Sequence, residues 1–212
     1  AMINPGDELL MPTPAWVSYK PMTELAGGTF VEIPTTAESL FLATPEQFEA
    51  AITSRTRVVI LNSPSNPCGT MYDPDTIRGI CDVLARHEHV TLISDEIYDR
   101  LVYGGRTHLS PGSLDSMKDR TITINGMSKT FAATGWRVGY AASPGNDGAV
   151  VKAMAKLQSQ MTSSVTSFTL PALVTALESC QAEVADMRAA FERRSALMYE
   201  LLSTWPGVTC PP

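Results

Sequence analysis

Three short apolar runs, Arg57 to Asn62 (RVVILN), Val90 to Asp95 (VTLISD) and Thr121 to Asn125 (TITIN), each lead into side chains that can do chemistry. The first runs through the proline-rich turn SPSNPCGT to Asn66. The second delivers Asp95, with Tyr98 shortly after, and the third delivers Ser128 and Lys129, with Arg137 further on. An Asp or Asn alone at a strand end ordinarily caps a turn. In an open α/β sheet, however, the ligand crevice lies beyond the carboxyl ends of the strands, where the connecting loops converge. An amide, a carboxylate, a phenol, an amine and a guanidinium can therefore meet there.

The lysine is the most informative of these groups. It is one of five (Lys20, Lys118, Lys129, Lys152, Lys156) and stands between an apolar strand and the small, apolar FAATGW, where poor solvation favours the neutral, nucleophilic amine. Such an amine forms a Schiff base with a carbonyl compound or with pyridoxal phosphate. The other groups match what that cofactor needs. An Asp pairs with the pyridinium nitrogen, a phenol and an amide hydrogen-bond the ring oxygen, and an Arg offers its fixed fork to a phosphate dianion.

Other chemistries have less support. No GxGxxG follows a strand and no GxxxxGK[ST] occurs, so a nucleotide cradle is not expected. Gly126-Met127-Ser128-Lys129-Thr130 is one residue short of a GxSxG elbow, which needs its His after the Ser, whereas His87, His89 and His108 all precede Ser128. His87-Glu88-His89 lacks metal-ligand spacing and reads as a solvated turn, and no metal is expected.

The elements that must position these groups alternate in period. Glu8 to Met11 and Thr29 to Ile33 read as strands flanking a helix-length segment, Ala15 to Ala26, that stops at Gly27-Gly28. Thr44-Pro45-Glu46-Gln47 has an N-cap followed by Pro and opens a short helix to Ile52; Asp73-Pro74 opens another to about Arg86. The three central runs are apolar on both faces, as parallel strands covered on each side are. Val138 to Ala142 reads as a short returning strand. Helices are expected over Asp147 to Gln160, Ser167 to Ser179 and Ala182 to Ser203, the last with Val184, Met187, Phe191, Met198 and Leu201 on one face and with SQMTSSVTS as the loop between the first two. The fold class is α/β: a three-layer α/β/α sandwich around a mostly parallel sheet.

Composition narrows the partners. A chain of 212 residues, 44% hydrophobic, buries roughly two-thirds of its unfolded surface and needs no staple. Sixteen Lys and Arg against twenty-two Asp and Glu leave a charge of -6, which argues against nucleic acid or an anionic membrane as the main partner. Cys68, Cys81, Cys180 and Cys210 are irregularly spaced and form no CxxC, which suits reduced thiols in a cytoplasmic protein. No apolar run has the length of a membrane span and no leader opens the chain, where Ala1 before Met2 reads as a cloning remnant.

SPSNPCGT, SDEIYDRLVY and NGMSKTFAATGWRVGYAA, in that order, resemble the class I/II aminotransferases of fold type I, and among them the bacterial aspartate and aromatic branch. The resemblance covers essentially the whole chain. It implies pyridoxal 5'-phosphate as cofactor and amino-group transfer between an amino acid and a 2-oxo acid in a homodimer. Lys129 would carry the cofactor, Asp95 would partner the ring nitrogen, Tyr98 and Asn66 the ring oxygen, and Arg137 the phosphate, with Ser128 as a weaker phosphate contact. PTPAWVSY resembles the segment whose aromatic residue stacks on the ring, which places Trp16 on the pyridine face.

The sequence departs from the family at Cys68, where Thr is common, at Ala15, where an aromatic is common, and at Gly126, where a hydroxyl residue would give a further phosphate contact. Ser163 to Ser167 resembles a segment that approaches the partner's cofactor in family dimers, and serves equally as a polar helix-capping loop. Family members run to roughly twice this length, so the resemblance implies a truncated chain. Residues 1–190 would form the cofactor-binding large domain without its N-terminal part, and 191–212 a linker helix and the start of a small domain. The substrate-carboxylate arginine would lie outside the chain. An impaired or inactive fragment, or a β-lyase on the same scaffold, is the alternative.

Overall fold

The alternating runs assemble into one sheet in the computed structural model, which describes residues 2–210. Ala1 and the last two residues of the 191–212 segment lie outside the described residues. The strands are β1 (Glu8–Thr13), β2 (Thr29–Pro34), β3 (Thr56–Asn62), β4 (Thr91–Asp95), β5 (Thr121–Gly126) and β6 (Gly139–Ala142), in the spatial order β2-β1-β3-β4-β5-β6. Every pairing is parallel except β5 with β6, so the expected returning strand forms an antiparallel edge. The helices are α1 (Tyr19–Leu25), α2 (Pro45–Ala51), α3 (Pro74–Arg86), α4 (Met127–Thr130), α5 (Gly145–Met161), α6 (Thr169–Ser179) and α7 (Gln181–Leu202).

The period of two along the strands divides the core. Leu10, Val59, Leu61 and Leu92 point to one face, where they pack with Phe48 of α2 and Ile77, Ile80 and Leu84 of α3. Leu9, Met11, Val58 and Ile60 point to the other and meet Tyr19 of α1. Because neighbours along a strand face opposite ways, a run such as VVIL must be apolar throughout to bury both faces. The result is the three-layer α/β/α arrangement the sequence implies. A third cluster, Met127, Val138 and Ala176, joins α4 and the entry to β6 to α6.

Local signals set several boundaries. The Thr44 hydroxyl accepts the Gln47 N–H while the Gln47 side chain accepts the Thr44 N–H, a reciprocal capping box with Pro45 at the first helical position. Asp73 accepts the N–H groups of Asp75 and Thr76 at the start of α3. The first helix begins at Tyr19 rather than Ala15: a turn at 16–19, closed by the Tyr19 N–H on the Trp16 carbonyl at 3.2 Å, precedes it, and the Trp16 ring stands edge-on to Tyr19, ring centroids 5.3 Å apart. α5 runs from Gly145 to Met161 and α6 starts at Thr169, two residues later than expected, so the loop between them is 162–168. α7 passes the expected 190/191 boundary unbroken. Its apolar side chains divide along its length: Val184 is buried, whereas Met198 and Leu201 are about half exposed.

Two charged groups fasten elements the core alone would leave loose. The Glu8 carboxylate, buried at the start of β1, accepts from Thr53 Oγ1 at 2.6 Å and from Arg55 Nε and Nη2 at 2.8 and 2.6 Å. Arg120, just before β5, donates to the carbonyls of Leu84, His87 and Val90 at 2.9 to 3.2 Å, which caps the end of α3 with a cation where the helix dipole favours one. Replacing it by Met should leave those carbonyls without the cation and cost about 2 kcal/mol in urea unfolding. The Thr53 hydrogen bond, followed by the Arg55 hydrogen bond and charge, holds the Glu8 carboxyl below the usual carboxylate value despite burial. Its stabilisation is therefore present above the unfolded value, near pH 4, and is lost as pH falls through the lower folded value. Glu8→Gln should flatten that part of the stability curve, read as urea midpoint against pH.

Candidate active site

The carboxyl ends of β3, β4 and β5 open onto one cleft of about 330 Å³. All seven residues singled out from the sequence, Trp16, Asn66, Asp95, Tyr98, Ser128, Lys129 and Arg137, line it. They arrive from four separate stretches of chain, and parallel strands whose loops all leave at the same edge bring them together.

Asp95 is held from several sides. Its Oδ2 accepts the Tyr19 hydroxyl at 2.6 Å and its Oδ1 accepts the Ile97 N–H at 3.2 Å. Burial, then the nearby Asp95 charge and the hydrogen bond to it, push the Tyr19 phenol well above its ordinary value, so it stays a neutral donor. Asn62 braces the neighbouring strand. Its Nδ2 donates to the Asp95 main-chain carbonyl at 3.2 Å, while its Oδ1 accepts the Asn66 N–H at 2.8 Å. One side chain thus ties the carboxylate-bearing strand end to the amide-bearing turn.

Lys129 sits in the four-residue helix α4, half-buried, with its Nζ 5.5 Å from the centre of the Tyr98 ring, a cation–π approach. Among the described residues neither it nor Arg137 forms an ion pair. Beyond the helix the backbone folds tightly on itself. Thr134 Oγ1 donates to the Ser128 carbonyl at 2.8 Å, and Arg137 Nη1 donates to the Thr134 carbonyl at 2.9 Å. Ala132 and Arg137 both have positive φ, 50° and 55°. Left-handed backbone costs a residue with a side chain about 1 kcal/mol, and such strain collects at functional sites. The turn leaves the Arg137 guanidinium exposed at the cleft with most of its donors free.

Gly126 shows why a side chain is missing there. A Cβ would lie 2.8 Å from the Val138 carbonyl oxygen and 3.0 Å from the Gly139 Cα, both backbone atoms of the returning strand. A hydroxyl residue at 126 would require β5 and β6 to separate. His87 and His89, set aside as a surface turn, bond Glu49 Oε1 at 3.0 Å and the Thr53 carbonyl at 3.1 Å, away from the cleft.

Sequence reasoning missed Tyr19, Asn62 and Thr134, which also line the cleft. Asn62 had a usable signal: it ends RVVILN, and in the parallel register it faces Asp95, which ends VTLISD. Tyr19 lay within PTPAWVSY with nothing local to mark its partner. Tyr19→Phe should cost about 1.5–3 kcal/mol, the worth of a hydrogen bond to a charged group, measured by urea unfolding at neutral pH. Asp95→Asn together with Tyr19→Phe should cost less than the sum of the two single changes.

Comparison with known proteins gives these groups a context. The family model described as aminotransferase class I and II matches residues 1–212. An aspartate/prephenate aminotransferase from Cereibacter sphaeroides is 45% identical over 212 residues, 100% of this chain and 52% of that protein. An aspartate aminotransferase from Geobacillus stearothermophilus is 43% identical over 210 residues, 99% of this chain and 52% of its own length. The crystal structure of the aspartate aminotransferase from Rhizobium meliloti superposes with a TM-score of 0.91 at 43% identity, covering 95% of this chain and 50% of that one. The chain spans about half the length of the curated relatives it matches.

Proposed function

Because this chain belongs to the class I and II aminotransferase family, we propose that it binds pyridoxal phosphate over Lys129 and takes part in amino-group transfer between an amino acid and a 2-oxo acid. The observation that carries the reading is the convergence of Asn66, Asp95, Tyr98, Lys129 and Arg137 on one cleft. Aspartate as amino donor is part of the proposal, supported by relatives named aspartate/prephenate aminotransferase and aspartate aminotransferase. A homodimer in the cytoplasm is part of it too. Four unpaired cysteines support the compartment, and apolar side chains exposed on α6, among them Leu170 and Val174, support the interface. The proposal extends to domains: residues 1–190, which hold every cleft residue, form the cofactor-binding domain, and 191–212 a linker helix and the start of a small domain, with Leu197, Met198 and Leu201 exposed on that helix.

The donor set fits the cofactor. The Asp95 oxygens each accept one hydrogen bond and can accept another, so the carboxylate would hold a proton on the ring nitrogen. Pyridoxal phosphate supplies an electron sink for the pair left when a substrate Cα–H bond breaks. Lys129 would hold the cofactor covalently and, once displaced by substrate, would take the proton from the substrate Cα as base and deliver it to the cofactor C4′ as acid. The Tyr98 hydroxyl and the Asn66 amide would donate to the ring oxygen. Arg137, with Ser128 beside it, would bind the phosphate as a charge-assisted fork. Trp16, edge-on against Tyr19, would cover the ring face and exclude water there.

Borohydride treatment of the chain with pyridoxal phosphate, followed by peptide mass mapping, should place the cofactor mass on Lys129. A visible absorbance band that survives in Lys129→Ala would overturn the assignment. Where wild type transaminates aspartate, Lys129→Ala should be slower by about 10²- to 10⁴-fold or more, the worth of a positioned acid–base group.

A further inference from the structure

Residues 96–110 form no regular helix or strand, yet they carry Tyr98 to the cleft. They also carry Leu101 and Tyr103 to an adjoining hollow of about 460 Å³ that shares Lys129. A loop of this length with that task needs an anchor, and both its ends meet at one side chain. Glu96 is 4% exposed and follows directly on Asp95. Its Oε1 accepts from Ser94 Oγ at 2.8 Å and from Ser110 Oγ at 2.7 Å, and its Oε2 lies 3.0 Å from His108 Nε2. An ionised carboxylate only accepts, so His108 Nε2 carries the hydrogen and donates. The Glu96 N–H donates to the Ile124 carbonyl at 2.9 Å, and the Glu96 carbonyl accepts the Asp99 N–H at 3.0 Å.

None of Glu96, His108 and Ser110 lines the cleft. Glu96 is joined to it through the chain. The Glu96 backbone is pinned between β4 and β5, which fixes the next peptide, whose Ile97 N–H sits on Asp95 Oδ1, and then Tyr98. Burial pushes the Glu96 carboxyl up, but the hydrogen bonds from His108, Ser110 and Ser94 outweigh it and hold it below the usual carboxylate range.

We infer that Glu96, His108 and Ser110 are positioning residues for the cleft, a clasp that closes the 96–110 loop at its base and so holds Tyr98 and the Ile97 N–H in place against the cofactor. This rests on the reading above that Asp95 and Tyr98 contact pyridoxal phosphate. A filler of the same volume would leave the cofactor untouched; a positioning clasp would not.

The test pairs hydrogen–deuterium exchange of the chain alone with titration of pyridoxal phosphate followed by visible absorbance. Glu96→Gln and His108→Leu should speed exchange across 97–107, weaken cofactor binding about tenfold or more, the worth of one charge-assisted hydrogen bond, and shift the pH midpoint of the band at saturating cofactor. His108→Gln keeps a donor and should restore all three toward wild type. Ser110→Ala removes one donor of three and should move them the same way by less, which keeps the test available should Glu96→Gln fail to fold. Faster loop exchange with wild-type affinity and midpoint would overturn the clasp while leaving the cofactor reading in place, as would no change in Ser110→Ala. A wild-type chain with no visible band would overturn the cofactor reading and the clasp with it.

Discussion

Two consecutive carboxylates stand where β4 ends, Asp95 as its last residue and Glu96 as the first beyond it. Asp95 faces the cleft and Glu96 faces the packed side, and neither can leave water without compensation. Much of the architecture around the site supplies it. Tyr19 comes from α1 and the Ile97 N–H from the following turn to meet Asp95. Ser94, His108 and Ser110 meet Glu96. For Glu96, removing a partner would strand a buried charge, which costs more than the bond itself is worth, so this acid ties down the base of the 96–110 loop, while the half-buried Asp95 ties α1 to the strand end.

The same economy governs the lysine turn. Ser128 and Lys129 sit at the start of a reversal that brings β6 back antiparallel against β5. The reversal is tight enough to hold two residues with side chains in left-handed backbone and to leave no room for a Cβ at 126. Tertiary contacts keep that strain: Met127 and Val138 are buried together with Ala176 of α6. An exposed guanidinium and a half-buried amine are thus carried on a stretch whose backbone is strongly constrained. A group that must grip an anion or move a proton benefits from little freedom to wander.

Much of this was legible in the residues. RVVILN, VTLISD and TITIN read as buried parallel strands because they are short, rich in β-branched residues and bounded by turn residues, and they proved to be β3, β4 and β5, side by side. Thr44-Pro45 and Asp73-Pro74 announced helix starts through side chains that satisfy the N–H groups of their own first turn. Local chemistry of this kind survives folding because its partners lie within a few residues. The start of α1 was less legible. Ala15 to Ser18 suit a helix locally, yet the chain enters α1 through a turn at 16–19 closed by the Tyr19 N–H on the Trp16 carbonyl.

The order of residues puts Asn66, Asp95, Tyr98, Ser128, Lys129 and Arg137 at or just beyond strand ends, and they share one cleft. The topology of a parallel sheet leaves its loops no other edge. Which partners hold those groups follows from the packed fold. Tyr19 lies far from Asp95 along the chain, and Glu96 meets His108 and Ser110 across an irregular loop. Such pairings follow from how layers pack and where a loop closes. Neither leaves a period or a spacing in the order of residues, because a hydrogen bond across the fold depends on distance in space alone.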